Sequence, residues 1–179
     1  MDENFSDSLN EILKNAREIA IKLGYNYIST FHLFLADCKL KQNDSLYDFS
    51  FSTHEQFNKF FESAKLTEEN KDLEFESLPI TLEAESAIKD AEVERILYKQ
   101  SKTHPCHLFL ASSKVKDSLF TDCFKEIDNL SEKLIEYYTK LGAFEADKFT
   151  ESEVKNQYYN PETKSNFSLK KIFGLAKRK

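Results

Sequence analysis

The residue types that chemistry uses most often cluster once in this chain of 179 residues, at His104, Cys106 and His107, with Cys123 further on. Imidazole and thiolate together are the ligands of zinc, but a zinc site sets them at standard short spacings, and these four residues match none. As a nucleophile and base, Cys106 and His107 fail on geometry, because sequence neighbours on a helix point about 100° apart. Phosphate chemistry needs glycines close together, so that backbone N–H groups converge on the anion. The chain has three, Gly24, Gly142 and Gly174, none near another. Neither a P-loop nor a dinucleotide fingerprint can be written, and the sequence predicts no enzyme, no cofactor, no bound metal and no nucleotide.

Composition narrows the class further. A chain of this length with 40% hydrophobic residues buries one core of ordinary size. Its formal charge of −6 is uneven. Lys164, Lys170, Lys171, Lys177, Arg178 and Lys179 follow Glu162 with no acidic residue among them, so that +6 there leaves −12 on the rest. An acidic body repels phosphate backbones and leaves only the basic end to approach nucleic acid. Cys38, Cys106 and Cys123 are an odd number at no redox spacing, as expected in a reducing compartment. The first residues, Met1-Asp2-Glu3-Asn4, are acidic where a signal peptide would be basic, and no apolar run approaches the roughly 18 residues of a membrane span. The expectation is a cytoplasmic protein. Few glycines and prolines among abundant Lys, Glu, Leu and Ala favour an all-α fold.

The elements follow from caps and stripes. Ser6 stands as the cap of a first helix, with Leu9, Ile12, Leu13, Ala16, Ile19, Ala20 and Leu23 as its apolar stripe and Gly24 as its stop. Thr30 is read as the cap of a second helix, which carries His32-Leu33-Phe34-Leu35-Ala36. A short third helix is expected over Leu46–Phe49. A fourth opens at the capping box Thr53-His54-Glu55-Gln56 and runs through Phe57, Phe60, Phe61 and Ala64.

The phrase of the second helix returns 75 residues later as His107-Leu108-Phe109-Leu110-Ala111. At the same offset Phe5-Ser6 falls on Ile80-Thr81, Lys14 on Lys89, Ala16 on Ala91 and Ile21 on Ile96. A recurrence at one displacement marks a duplicated unit. The second copy opens at Thr81, with the weaker stripe Ala84, Ala87, Ile88, Ala91, Ile96 and Leu97. Pro105 stands in the first turn of the phrase helix, where its missing N–H costs nothing. Its third and fourth helices are expected over 115–124 and 127–141, the last stopped by Gly142. The organisation expected is a double domain over 1–142, with repeat 1 at about 5–64, a charged linker at 65–79 and repeat 2 at about 80–142, and a C-terminal extension over 143–179. His32 and His107 read as packing residues that hydrogen-bond near helix starts; Phe57, Phe60, Phe61, Tyr137 and Tyr138 read as core.

Leu-Gly-Tyr-Asn-Tyr-Ile at 23–28, Ser-Thr-Phe-His-Leu-Phe-Leu-Ala at 29–36, a helix opening with Phe-Ser or Ile-Thr, and the second copy together resemble the Clp N-terminal repeat domain. That domain precedes the ATPase rings of Clp-type AAA+ unfoldases and also occurs as a free-standing accessory protein. The resemblance spans roughly 5–141 and implies two pseudo-symmetric four-helix repeats that bind substrates or adaptors and catalyse nothing. The second copy departs where Tyr98-Lys99-Gln100 and Lys102 replace Leu-Gly-x-x-Tyr. A further departure bears on ligands. In some members a glutamate in each repeat binds the guanidinium of phosphoarginine, and those two places here are Phe31 and Cys106, neither of which accepts a charge-assisted hydrogen bond. The matching hydroxyls, Ser6 and Thr81, are kept. The expectation is a protein-binding site around Ser6, Phe31, Thr81 and Cys106 that does not take phosphoarginine.

In the extension, Leu169, Ile172 and Phe173 fall at helical spacing with Lys170 and Lys171 turned away from them. That pattern suits a partner-docking helix or a membrane-surface anchor, and equally a frayed terminus, because so short a helix is marginal alone. The leading expectation is a non-catalytic adaptor or accessory subunit whose partner is a Clp ATPase, a peptidase or one of their substrates, with any unfoldase a separate polypeptide. The alternative is a membrane-surface or nucleic-acid tether acting through the basic tail.

Overall fold

Ser6 begins the first helix because its backbone is extended while its Oγ accepts a hydrogen bond from the Leu9 N–H at 3.2 Å. The helix that follows, α1 (Asp7–Lys22), buries Leu9, Ile12, Leu13, Ala16, Ile19 and Ala20 on one face. It ends at Gly24, whose φ of +85° lets the Tyr25 N–H turn back to the Ala20 carbonyl at 2.9 Å. In the computed structural model, which describes residues 4–41, 45–66 and 78–144, seven more helices follow. They are α2 (Thr30–Leu40), α3 (Tyr47–Ser50), α4 (His54–Ser63), α5 (Leu82–Leu97), α6 (Pro105–Lys114), α7 (Leu119–Cys123) and α8 (Leu130–Lys140). Among the described residues there is no strand, only two isolated bridges.

The phrase helices lie at the centre. Every residue of α2 from Thr30 to Cys38 is buried, as is every residue of α6 from Pro105 to Ser112, which is why neither shows a one-sided stripe. The amphipathic α1 covers α2, and α5, which buries Ala84, Ala87, Ile88, Ala91 and Leu97, covers α6. Phe34 of α2 meets Phe120 of α7 and Phe124 just beyond it at 5.7 and 5.3 Å between ring centroids, and Phe109, the counterpart of Phe34 in α6, stacks on Phe120 at 5.6 Å. The α8 helix is tied to the first half by the Tyr137 hydroxyl, which donates to the Ser45 carbonyl at 2.7 Å.

Among the described residues, four backbone hydrogen bonds join the halves. Ser6 N–H donates to the Thr103 carbonyl at 2.9 Å and Thr103 N–H to the Asn4 carbonyl at 2.8 Å. Thr81 N–H donates to the Ile28 carbonyl and Ile28 N–H to the Pro79 carbonyl, both at 2.8 Å. A shift of 75 residues converts one pair into the other, so each half's opening segment is paired with the loop that enters the other half's central helix. The duplication is therefore a pseudo-two-fold in space.

Local physics moves several helix ends from where the sequence put them. The cap of α2 is Ser29, not Thr30, because the Ser29 N–H is taken by the His32 imidazole and Ser29 stays extended. The third helix starts one residue late, since the Leu46 N–H is held by the Asp37 carboxylate at 2.7 Å. Instead of running over 115–124, α7 starts only at Leu119: Asp117 turns left-handed at φ +55° and the Ser118 hydroxyl caps the Thr121 N–H. Asn129, also at φ +55°, delays α8 to Leu130. In α4 the Thr53 hydroxyl accepts from the Gln56 N–H, but the Gln56 side chain reaches back to the Ser52 N–H at 2.9 Å rather than to that of Thr53.

Lys99 occupies in α5 the place that Gly24 holds after α1. It adopts φ +56° and the same closing bond, Gln100 N–H to the Arg95 carbonyl at 3.0 Å, without glycine's freedom. A left-handed non-glycine residue costs roughly 1–2 kcal/mol, and glycine's looser unfolded chain offsets roughly 0.4–1 of any gain. Lys99→Gly is expected to stabilise the fold by about 0.5–1 kcal/mol, read as a rise of roughly 1–4 °C in the thermal midpoint. An unchanged or lower midpoint would contradict the strain at this position.

Candidate functional site

The cross-pairing places Ser6 beside the loop that enters α6 and Thr81 beside the loop that enters α2. Ser6 is thus bonded to the loop three residues before Cys106, and Thr81 to the loop three residues before Phe31. None of the four presents an open reactive surface. Ser6 is 6% exposed, with its hydroxyl used in capping and 3.1 Å from Ser8 Oγ; Thr81 Oγ1 caps the Ala84 N–H at 3.3 Å. Phe31 is 8% exposed and packs edge-on against Phe60 at 6.0 Å, and Cys106 is 1% exposed.

Sequence reasoning missed Glu83. From the first turn of α5 its Oε1 accepts from the Thr30 hydroxyl at 3.1 Å and, more weakly, from the Thr30 N–H at 3.4 Å, while Oε2 accepts from the Leu119 N–H at 3.3 Å. One carboxylate therefore serves the starts of both α2 and α7, where helix dipoles favour a negative charge. The natural seat for an anion beside Phe31 is already filled from within. An acidic residue in a first turn ordinarily serves its own helix, so only the spatial crossing reveals this role.

His32 and His107 occupy equivalent places and do equivalent work. The Ser29 N–H donates to His32 Nδ1 at 3.0 Å, and the His104 N–H donates to His107 Nδ1 at 2.9 Å. Burial lowers the pKa of His32 from 6.5 to about 4, and burial with help from His104 and Arg95 lowers that of His107 to about 3. Both rings are neutral at pH 7 and carry the proton on the far nitrogen. They are structural, as their apolar context suggests. The Cys123 thiol is pushed up to about 12 by burial, with Asp122 adding to it, and the Cys38 thiol is raised by burial as well, so neither supplies a thiolate. Among the described residues no three His, Cys, Asp or Glu groups stand close enough to hold a metal.

An accessible concavity lies elsewhere among the described residues. A half-open groove of about 260 Å³ runs between α3 and α4 of the first half and α7 of the second. Phe34 and Phe124 form its floor, and Phe49, Phe51, Phe60 and Ile127 its walls. Phe57, Phe61 and Tyr138 are buried as expected, but Phe60 and Tyr137 are only half-buried, and Phe60 faces this groove. Its two walls are about seventy residues apart in the chain, which hides the groove from any local pattern. Leu169, Ile172 and Phe173 lie outside the described residues.

Residues 4–127 match the family model described as the Clp repeat (R) N-terminal domain. The N-terminal domain of the caseinolytic protease associated chaperone ClpD from Arabidopsis thaliana is similar with a TM-score of 0.60 at 16% identity, over 78% of this chain and 96% of that one. The Hsp104 N-terminal domain from Candida albicans is similar with a TM-score of 0.61 at 18% identity, over 82% and 97% of the two chains. At these identities the likeness shows the fold. No curated protein sequence matches the chain.

Neutral histidines make stability depend on pH. Each imidazole is protonated in the unfolded chain below 6.5 but resists protonation in the fold down to about 4 or 3. Their contribution is complete above about pH 6.5 and is lost as the pH falls through that window, by up to about 1.4 kcal/mol per pH unit for each. The variant His32→Asn/His107→Asn keeps an acceptor near each helix start without titrating. The urea-midpoint gap between wild type and this variant should therefore shift against the wild type as the pH drops from 7 to 4.5; parallel curves would contradict the assignment.

Proposed function

Because this chain belongs to the Clp repeat (R) N-terminal domain family, we propose that it serves as a non-catalytic protein-binding module, an adaptor or accessory subunit of a Clp-type unfoldase or protease system. The observation that carries this reading is the aromatic groove between the repeats. Its volume falls just below the roughly 300–1,000 Å³ of small-molecule pockets, and its lining is chiefly phenylalanine, which suits apolar side chains of another polypeptide. His32 and His107 are buried and neutral, and the Cys38 and Cys123 thiols are raised by burial, so these four groups support binding rather than chemistry.

The full chain, immobilised and exposed to extract of its own cells, should retain a Clp ATPase, a Clp peptidase or their bound substrates. Phe60→Ser, which removes a half-buried ring from the groove wall, should cut that recovery several-fold while circular dichroism stays helical. Recovery of no Clp component by the folded wild type would remove the support for this role.

Phosphoarginine is a separate question. With Phe31 and Cys106 in place of carboxylates and Glu83 already at the start of α2, calorimetric titration of phosphoarginine should give no saturable heat. Tight stoichiometric binding would overturn that reading.

A further inference from the structure

The groove and the basic tail are complementary in two respects. Phe49, Phe60 and Ile127 are half-buried around a floor of buried phenylalanine, and exposed Asp48, Glu55, Asp122, Glu126 and Asp128 flank the lining residues in the chain, against Lys125 and Lys59, the latter paired with Glu55. The segment Phe167-Ser168-Leu169-Lys170-Lys171-Ile172-Phe173 carries the opposite pattern, four large apolar residues with lysines between them and Lys177, Arg178 and Lys179 beyond. Reach is no obstacle. The 22 residues between Phe144 and Phe167 span about 70 Å when extended and roughly 26 Å as a coil, against a radius of gyration of roughly 14 Å for a domain of this size.

We propose that this chain's own segment 167–173 docks in the aromatic groove, with Phe167, Leu169, Ile172 and Phe173 against the phenylalanine walls and Lys170 and Lys171 toward the exposed acidic residues that neighbour the lining. The inference takes the groove as the binding surface proposed above and names what regulates it. A tethered segment meets its site at an effective concentration on the order of millimolar, so weak apolar contact is enough to keep the groove covered. A protein partner then competes with the tail for the groove, and that competition sets which polypeptides gain access. Part of the attraction is electrostatic and exposed, so raised salt weakens it.

The test uses the purified full chain with p-benzoylphenylalanine replacing Phe173, irradiated with no other protein present. Expected are crosslinks within the monomer that map to 48–51, 56–60 or 123–127, at least halved in 1 M salt and by Ile127→Asp. Phe60→Ser provides a second groove variant if Ile127→Asp unfolds. Crosslinks scattered over the domain, or none, would overturn the proposal. A dimer-sized product would overturn it too, assigning the groove to a second copy. Since no Clp component takes part, failure here leaves the partner reading standing, and an empty pull-down leaves this one standing.

Discussion

Four backbone hydrogen bonds hold the two halves of this chain in register, and the rest of the structure is arranged around them. Ser6 and Thr103 exchange with each other's neighbourhood as Thr81 and Ile28 do. Each bond satisfies an N–H or carbonyl at a buried helix approach that would otherwise cost roughly 1–3 kcal/mol to leave unpaired. Neither half can supply these partners to itself. The start of α1 is completed by the loop before α6, and the start of α5 by the loop before α2, so the two repeats share one core.

The pseudo-symmetry fails at particular side chains, and these departures give the molecule its character. Ser8 in the first copy becomes Glu83 in the second, and only the second ties two helix starts together through a carboxylate. Asp37 holds the start of α3, while its counterpart Ser112 bonds back to the Leu108 carbonyl within its own helix. The aromatic groove lies where α3 and α4 of the first half face α7, the counterpart of α3, in the second. The cross-pairing thus carries the fold, and the groove between the halves is the surface on which partners and the tail are proposed to act.

Much of this was legible in the residues. The stripes of α1 and α5, the caps Ser6, Thr53 and Thr81, the stop at Gly24 and the phrase offset place these helices nearly where they form, because each signal is local. The late starts of α7 and α8 were not legible, since Asp117 and Asn129 take left-handed conformations that their side chains permit but do not announce. Glu83 and the groove were invisible for a different reason. Both depend on which half's loop crosses to which helix, and a sequence offset reveals equivalence without revealing the crossing.

The interlock is tested most directly by native-state hydrogen exchange of the amides of Ser6, Ile28, Thr81 and Thr103. If the cross-bonds make one cooperative unit, all four exchange through the same opening free energy, equal to that of the buried amides of α2 and α6. If Ser6 and Thr103 open at one free energy while Ile28 and Thr81 open at another well below the core, the halves come apart separately and the account fails.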